Sequence, residues 1–544
     1  MVACGVTTMR ALRAIDPRSR LGLLYWALVV LRCISALFGY AYIHPDEWMQ
    51  SGEAYFGAAS LPWEWQPRHA LRSPAALRTQ YAAVPALSLL TSDGGWGRFV
   101  AQRAAMVVWT LVVDAAVVAT LEPGLARRLL CLYGVSSAAT TFMVRPFSNS
   151  TEAVLLALSL VSVLAFVRDD SWYRGGVWKW TVPVLPVMTA VGVFTRFTYV
   201  AFAAPVLALF LVQLVELARK GYAGKVAGWL ALAAGSGVAT TAVYLGIDTH
   251  FYTRAGVAEV ASVRWRGMEA VVAPLNALAY NAQTDNVAQH GLHPRWLHLC
   301  VNLPIMVGVA NVAVLLIHAT NTFRGWLARQ GCNAPSSTRD GEATGVSLCI
   351  VVVALCVLSV SPHQEPRFLL ALAFPSAMVM AHALGSRFFR TRPRLVRWLV
   401  TLHVAQHLLQ MVLFSFLHQG GLLPTLFAIE KETSLKTHLV FRTFPVPTHL
   451  TPHKDVRGFD SSTSPQHLLQ IAKQGCGQTA IYTPSWFVAP LQHLARDQGV
   501  SLTPQRHFTG HVDLDHLDSA LALLRTSPVT EVFAIHQLLV TCPP

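Results

Sequence analysis

Apolar residues run in long stretches over the first three quarters of the chain, and most stretches close on a short cluster of charged or amide side chains. A helix needs roughly 20 residues to cross about 30 Å of hydrocarbon. The stretches near 21–42, 98–120, 129–144, 152–168, 181–195, 198–218, 226–247, 297–317, 345–361, 367–385 and 398–417 read as spans of that kind. The pattern predicts an all-α polytopic membrane protein with about 11 transmembrane helices. Arg196 interrupts the run 181–218, and Tyr81–Leu90 reads as a loop or as a re-entrant or interfacial helix. Gly331–Gly345, rich in Ser, Thr, Asn and Gly, predicts a flexible linker. Beyond 417 the pattern changes, so a polytopic domain 1–417 is followed by a smaller region, 418–544, of mixed α/β character.

Composition supports the membrane assignment. Hydrophobic residues make up 53% and charged residues 13%, where a soluble protein carries charge on about a quarter of its residues. The basic residues recur at alternate loops: Arg10, Arg13, Arg18 and Arg20; Arg127 and Arg128; Arg168, Arg174 and Lys179; Arg219, Lys220 and Lys225; Arg324, Arg329 and Arg339; and Arg387, Arg390, Arg392, Arg394 and Arg397. The positive-inside rule puts these on the cytosolic face. The loops 41–97, 145–151, 248–296 and 362–366, the turn at 196, and the tail from 418 then face the opposite side. The surplus of 42 basic over 28 acidic residues, a net +14, lies mostly in the cytosolic loops. Anionic lipid headgroups account for it, and nucleic acid does not. No small-residue cleavage site follows Leu21–Tyr40, which reads as a retained anchor. None of the nine cysteines forms a CxxC pair; Cys476 and Cys542 share the tail and leave a disulfide open.

The candidate chemistry sits at the ends of spans on the non-cytosolic side. His44-Pro45-Asp46-Glu47 follows the first span directly. Adjacent carboxylates at a membrane helix mouth are costly and point to chemistry or transport. Asp46 or Glu47 can serve as a general base, and both also suit the N-terminus of a following helix. Further clusters are Trp63, Glu64 and Trp65 with Arg72 and Ser73; Arg145, Asn149 and Glu152; Thr195 and Arg196; Asp248; Asn276 to Arg295; and His363, Glu365 and Arg367. In the last, the guanidinium can bind a phosphate through two hydrogen bonds while Glu365 orients it and His363 adds a donor. His290 and His293, three residues apart with Asp285 near, could hold zinc or manganese, but hydrogen bonding to a polar substrate with Arg295 is the favoured role. Asp114, within the second span, suits a structural pairing with a neighbouring helix. Asn149-Ser150-Thr151 is a glycosylation sequon too close to the membrane to expect use.

Five segments occur in the order seen in dolichyl-phosphate-mannose-dependent mannosyltransferases of family 22, in the GT-C superfamily. They are His44–Glu47; Trp63-Glu-Trp65 with Leu71-Arg-Ser73; Arg145-Pro-Phe-Ser-Asn-Ser150 with Glu152; Phe194-Thr-Arg-Phe197; and His363-Gln-Glu-Pro-Arg-Phe368. The chain resembles that family over roughly 21–450. Pro274–Asn281 leading into His290–Arg295, together with Gln364 where other branches usually have Lys, resembles the branch that adds a fourth, α1,2-linked mannose to a GPI-anchor precursor. Pro146 and Trp48 depart from the residues common at their positions. The resemblance implies a GT-C glycosyltransferase fold in the endoplasmic reticulum membrane, with lumenal catalytic loops 41–97 and 248–296 and a lumenal tail. It also implies dolichyl phosphate mannose as donor, a GPI-precursor glycolipid as acceptor, and no metal or other cofactor.

For such a reaction Asp46 is the expected base, with Glu47 positioning it or replacing it. His363, Glu365 and Arg367 are expected at the donor phosphate. His44, Arg145, Asn149, Glu152, Arg196, His290, His293 and Arg295 are expected to contact substrate. The alternatives are a transferase adding the third GPI mannose, one extending a lipid-linked N-glycan, a lipid or proton-coupled transporter, and a noncatalytic subunit of a membrane complex.

Overall fold

The computed structural model describes residues 14–57, 61–168, 178–254, 261–265, 268–329 and 339–542. Arg10, Arg13, Arg174 and residues 330–338 of the expected linker lie outside these, as do the side chains of Arg168, Lys179, Arg329 and Arg339. A helix, Arg339–Leu358, already begins within the expected linker.

Among the described residues, six helices are long and apolar enough to cross a membrane: Arg20–Phe38, Gly95–Thr120, Ser148–Val167, Tyr199–Thr253, Pro366–Ala383 and Pro393–Leu417. The 55-residue Tyr199–Thr253 holds two of the expected spans, and Gly221, at φ 93°, breaks it between them. Trp180–Thr195 and Ala343–Leu358 are apolar but shorter. The stretch expected at 129–144 is the helix Pro123–Val135 followed by the π-turn Ala138–Phe142. Tyr81–Leu90 holds only the five-residue helix Val84–Ser88. The chain is a multi-pass membrane protein.

The expected span 297–317 is sharply broken. The segment 297–317 divides into His298–Val307 and Val309–Arg324, bent by 114°, where Gly308 takes φ 93°. A break inside a bilayer exposes backbone groups that need partners. Gln406 supplies two of them: its amide nitrogen donates to the Pro304 carbonyl at 2.9 Å and its oxygen accepts from the Val309 N–H at 2.9 Å. His407 lies 3.3 Å from the Val307 carbonyl.

The chain divides into two compact units. One comprises Met1–Arg32, Trp63–Gln80 and Met106–Leu408; the other comprises Cys33–Pro62, Tyr81–Ala105 and Leu409–Pro544. Parts of the first long loop therefore fold with the C-terminal region, across the division at 417 expected from hydrophobicity.

Among its described residues the first unit is mainly helical, with one small antiparallel pair, β1 (Val263–Trp265) with β2 (Met268–Ala270). Asp114 pairs with Arg32 at 2.9 Å and accepts from the Tyr25 hydroxyl at 3.2 Å, so this intramembrane carboxylate joins two helices. Segment 63–80 is held by its own polar groups. Glu64 takes a two-point contact from Arg72 at 2.9 and 3.0 Å. Ser73 Oγ accepts from the Ala76 N–H at the start of the helix Pro74–Gln80 and donates to Asp248, which also accepts from the Ala75 N–H.

The second unit centres on a five-stranded sheet: β3 (Thr437–Phe441), β4 (Asp455–Phe459), β5 (Thr479–Pro484), β6 (Ser501–Thr509) and β7 (Ala534–Thr541), in the order β4-β3-β5-β7-β6. β4, β3 and β5 run parallel, while β7 is antiparallel to both β5 and β6. Successive side chains on a strand point to opposite faces, and here both faces are covered. Leu439, Phe441 and Ile481 pack with Leu468, Leu469, Leu491 and Ala495 of the helices Pro465–Lys473 and Ser485–Asp497. Val440, Ala480 and Tyr482 pack with Leu422, Leu426 and Ile429 of the helix Leu422–Lys431. Two-sided burial explains why consecutive residues are apolar at Leu439–Phe441 in β3 and Ala480–Tyr482 in β5. A Cys476–Cys542 disulfide, with Cα atoms 5.8 Å apart, ties the turn before β5 to the end of β7.

Candidate active site

Residues 45–56 form a short, irregular helix whose first turn carries both carboxylates. The His44 carbonyl accepts from the Glu47 N–H, and the Pro45 carbonyl accepts from Trp48 and Met49. Nδ1 of His44 accepts from the Asp46 N–H at 3.2 Å. Both acids stand in the first turn, where Glu47 makes no side-chain capping bond, and their side chains go to different environments. Glu47 is fully buried and ion-paired with the fully buried Arg103, and the Ser51 hydroxyl donates to its backbone carbonyl. Asp46 keeps 23% of its side-chain surface exposed, with Oδ1 3.5 Å from the half-exposed His44 ring. Glu47 holds the turn, and Asp46 remains accessible to a substrate.

The turn is anchored by packing as well. Trp48 and Tyr42 belong to the same apolar cluster as Phe99 and the β3–β5 face of the sheet. The Arg103 guanidinium lies 5.3 Å from the Trp48 ring and 5.0 Å from Phe99, a cation–π contact on each. Below it, Glu53 accepts from the His449 backbone and ring at 3.0 and 2.9 Å and from the Thr448 hydroxyl at 2.8 Å. Burial raises the Glu53 carboxyl, but the His449 hydrogen bonds outweigh it and leave a net lowering. A Cβ on Gly52 would stand 2.4 Å from His449 Nε2, so this close approach needs glycine. Arg103, Glu53 and His449 escaped the sequence reading. An arginine inside an apolar span was the one available signal.

Removing Arg103 leaves a buried carboxylate without its cation. Arg103→Met is expected to cost about 3–5 kcal/mol of stability, read as a lowered unfolding temperature of the detergent-solubilised protein. A loss under about 1 kcal/mol, the scale of an exposed pair, would mean that Glu47 relies on other partners.

In the first unit, the turn 361–367 gathers the second cluster. Glu365 bridges two basic side chains: Oε1 meets His363 Nε2 at 2.8 Å and Oε2 meets Arg367 Nε. His363 Nδ1 lies 3.1 Å from the Gly291 carbonyl. Burial disfavours the imidazolium, but the hydrogen bond and charge of Glu365 overcome this and raise the His363 pKa. With His363 protonated the trio carries one net positive charge. Arg367 and Arg196 lie 5.6 and 5.3 Å from the centroid of the Phe368 ring. Arg196 pairs with the buried Glu152 at 3.3 Å, and Glu152 also accepts from Thr198 at 2.8 Å.

The segment 290–298 is bound to this turn by Gln364. Its oxygen accepts from the His298 N–H at 2.8 Å, and its nitrogen donates to the carbonyls of Arg295 and Ser361 at 3.3 and 3.1 Å. His293 accepts from the Gln364 N–H at 3.3 Å and donates its own N–H to Pro362. The rings of His290 and His293 lie 5.9 and 5.8 Å from that of His363. Among the described residues no three His, Cys, Asp or Glu side chains are arranged to hold a metal ion. Four expected substrate contacts are placed less favourably. Arg145, Asn149 and Glu152 are buried, and Arg295 is exposed with its carbonyl, not its guanidinium, facing Gln364. Burial also withdraws the Asn149 sequon from solvent.

The second unit thus carries an accessible carboxylate at Asp46, and the first, taken by itself, a partly buried cluster of basic side chains around Glu365. The sequence is 28% identical over 534 residues to GPI mannosyltransferase 4 of Candida albicans, covering 91% of this chain and 95% of that one. It is 29% identical to GPI mannosyltransferase 4 of Emericella nidulans, covering 76% and 70%, and 28% identical to human GPI alpha-1,2-mannosyltransferase 4, covering 80% and 77%. Likeness to a solved structure, ArnT from Cupriavidus metallidurans bound to undecaprenyl phosphate, is weak, with TM-score 0.48 and 11% identity over 97% of this chain and 100% of that one. Residues 23–450 match the profile of the Alg9-like mannosyltransferase family, and the chain belongs to that family.

Proposed function

We propose that this protein transfers mannose from dolichyl phosphate mannose to the third mannose of a GPI-anchor precursor, forming an α1,2 linkage on the lumenal side of the endoplasmic reticulum membrane. The observation that carries this reading is the contact between the two segments that mark the branch in sequence. Gln364 donates to the Arg295 carbonyl and accepts a hydrogen bond from the backbone of His298, three residues past His290–Arg295. Lysine, common there in other branches, has no acceptor and cannot make that bond. The names of the relatives agree with the assignment.

The reaction is a single inverting displacement. Asp46 takes the proton of the acceptor 2-hydroxyl, and the oxygen forms its new bond to the mannose anomeric carbon. The bond from that carbon to the phosphate oxygen breaks through an oxocarbenium-like state. The electron pair leaves with dolichyl phosphate, whose growing charge is met by His363 and Arg367, with Glu365 orienting both.

Membranes containing the protein are to be incubated with dolichyl phosphate mannose and a three-mannose GPI precursor, and the product treated with an α1,2-specific mannosidase. A fourth, mannosidase-sensitive mannose is expected. Transfer only to a two-mannose GPI or to an N-glycan precursor would overturn the acceptor, and transfer to none would overturn the enzyme reading.

The raised His363 pKa gives a pH dependence. An unperturbed histidine has a pKa near about 6.5, so His363 keeps its proton above that value and loses it only as pH rises through its own higher one. The donor KM is expected to stay low above the ordinary histidine value and to rise as pH passes through the higher one of His363. In Glu365→Gln, which removes the raising charge, the rise should begin at lower pH. A donor KM independent of pH in both proteins would remove the imidazolium from phosphate binding.

A further inference from the structure

Trp63 stands at the start of the clasp 63–73 and is 37% exposed. Three rings surround it. His290 stacks on it with centroids 5.8 Å apart and planes 19° from parallel, Tyr280 lies at 5.3 Å, and His69 meets it edge-on at 5.5 Å. The Tyr280 hydroxyl lies 3.2 Å from His290 Nε2, which fixes the two smaller rings relative to each other. His290 is in turn 5.9 Å from His363, the residue assigned to the donor phosphate.

The clasp beneath this cluster is rigid. Glu64 is held by Arg72, Trp65 is buried, and the Tyr252 hydroxyl donates to the Arg72 carbonyl at 2.7 Å. The Asn276 side chain donates to the Ala70 carbonyl at 3.2 Å, linking the clasp to the helix Ala273–Ala282 that carries Tyr280. So much fixation around a partly exposed indole is unnecessary for an interfacial anchor, which needs only an amphipathic ring at headgroup depth. A preorganised aromatic surface with polar groups at its rim suits a ligand having an apolar face and hydroxyl edges. A hexopyranose has that shape: axial C–H groups on one side and hydroxyls around the perimeter.

We propose that Trp63, with Tyr280 and His290, forms a stacking platform for one hexopyranose ring of the substrates, with Tyr280 and His290 meeting its hydroxyls. The inference rests on the mannosyltransferase reading, because that reading supplies a sugar beside His363. The ring belongs either to the donor or to the acceptor glycan, and kinetics separates the two.

Steady-state kinetics of the full chain in detergent micelles should compare Trp63→Leu, Trp63→Phe and Tyr280→Phe, varying donor and acceptor separately. Trp63→Leu keeps the apolar character of an anchor and removes the ring. It is expected to raise one KM about 10-fold or more with little change in the other, whereas Trp63→Phe retains most of the affinity. A rise in the acceptor KM assigns the platform to the acceptor glycan; a rise in the donor KM assigns it to the donor mannose. Saturation-transfer NMR of α1,2-mannobiose on wild type and Trp63→Leu gives a readout without turnover, and the transferred signal is expected to fall in the variant. If Trp63→Leu leaves both KM values and the NMR signal unchanged while wild type extends the GPI precursor, the platform is overturned and the function stands. If wild type instead extends another glycan and Trp63→Leu raises that KM, the acceptor assignment falls and the platform stands.

Discussion

Asp46→Asn is expected to lower mannose transfer by about 10²–10⁴-fold, the usual contribution of a positioned general base, with the amount and unfolding temperature of the protein unchanged. Stability should be spared because the Asp46 side chain is partly exposed, so an isosteric amide adds little cost. Glu47→Gln should behave differently. Its carboxylate is fully buried against Arg103, so neutralising it leaves a buried guanidinium without its counter-charge and lowers stability together with activity. Measuring rate and melting for both variants separates chemistry from structure. If Asp46→Asn retained wild-type turnover, the base would have to be sought elsewhere, and Glu47, already committed to Arg103, would be a poor replacement.

Arg367→Gln is expected to reduce kcat/KM for the donor by about 10²–10³-fold, the scale seen when one preorganised donor to a developing oxyanion is removed. Glu365 would keep its bond to His363, whose pKa should climb further as the lowering charge of Arg367 disappears. Arg367→Lys restores charge without the planar fork and should recover only part of the loss. Acceptor KM is the internal control. A variant that weakens acceptor binding and spares donor use would move the phosphate away from this turn.

The sequence by itself determined the membrane character of the chain, because a hydrophobic run of about 20 residues has few alternatives to a spanning helix. It also determined the change to a mixed α/β region after the last span, and it singled out the polar segments 44–47 and 363–368 as candidates for the chemistry. The pattern read 297–317 as one span, and both its break at Gly308 and the side chains that satisfy the broken backbone, Gln406 and His407, about 100 residues away, came only from the tertiary structure. The roles of Asp46 and Glu47 were likewise undecidable from adjacency. Two neighbouring carboxylates look alike until burial divides them, and the division here comes from Arg103, 56 residues along the chain. The Glu53–His449 bonds span 396 residues, and the aromatic surface around Trp63 draws on 69, 280 and 290. Local pattern fixes which segments enter the bilayer because burial in lipid acts on each helix separately. The pairing of charges and rings is set by packing between distant segments, and so only the tertiary structure decided it.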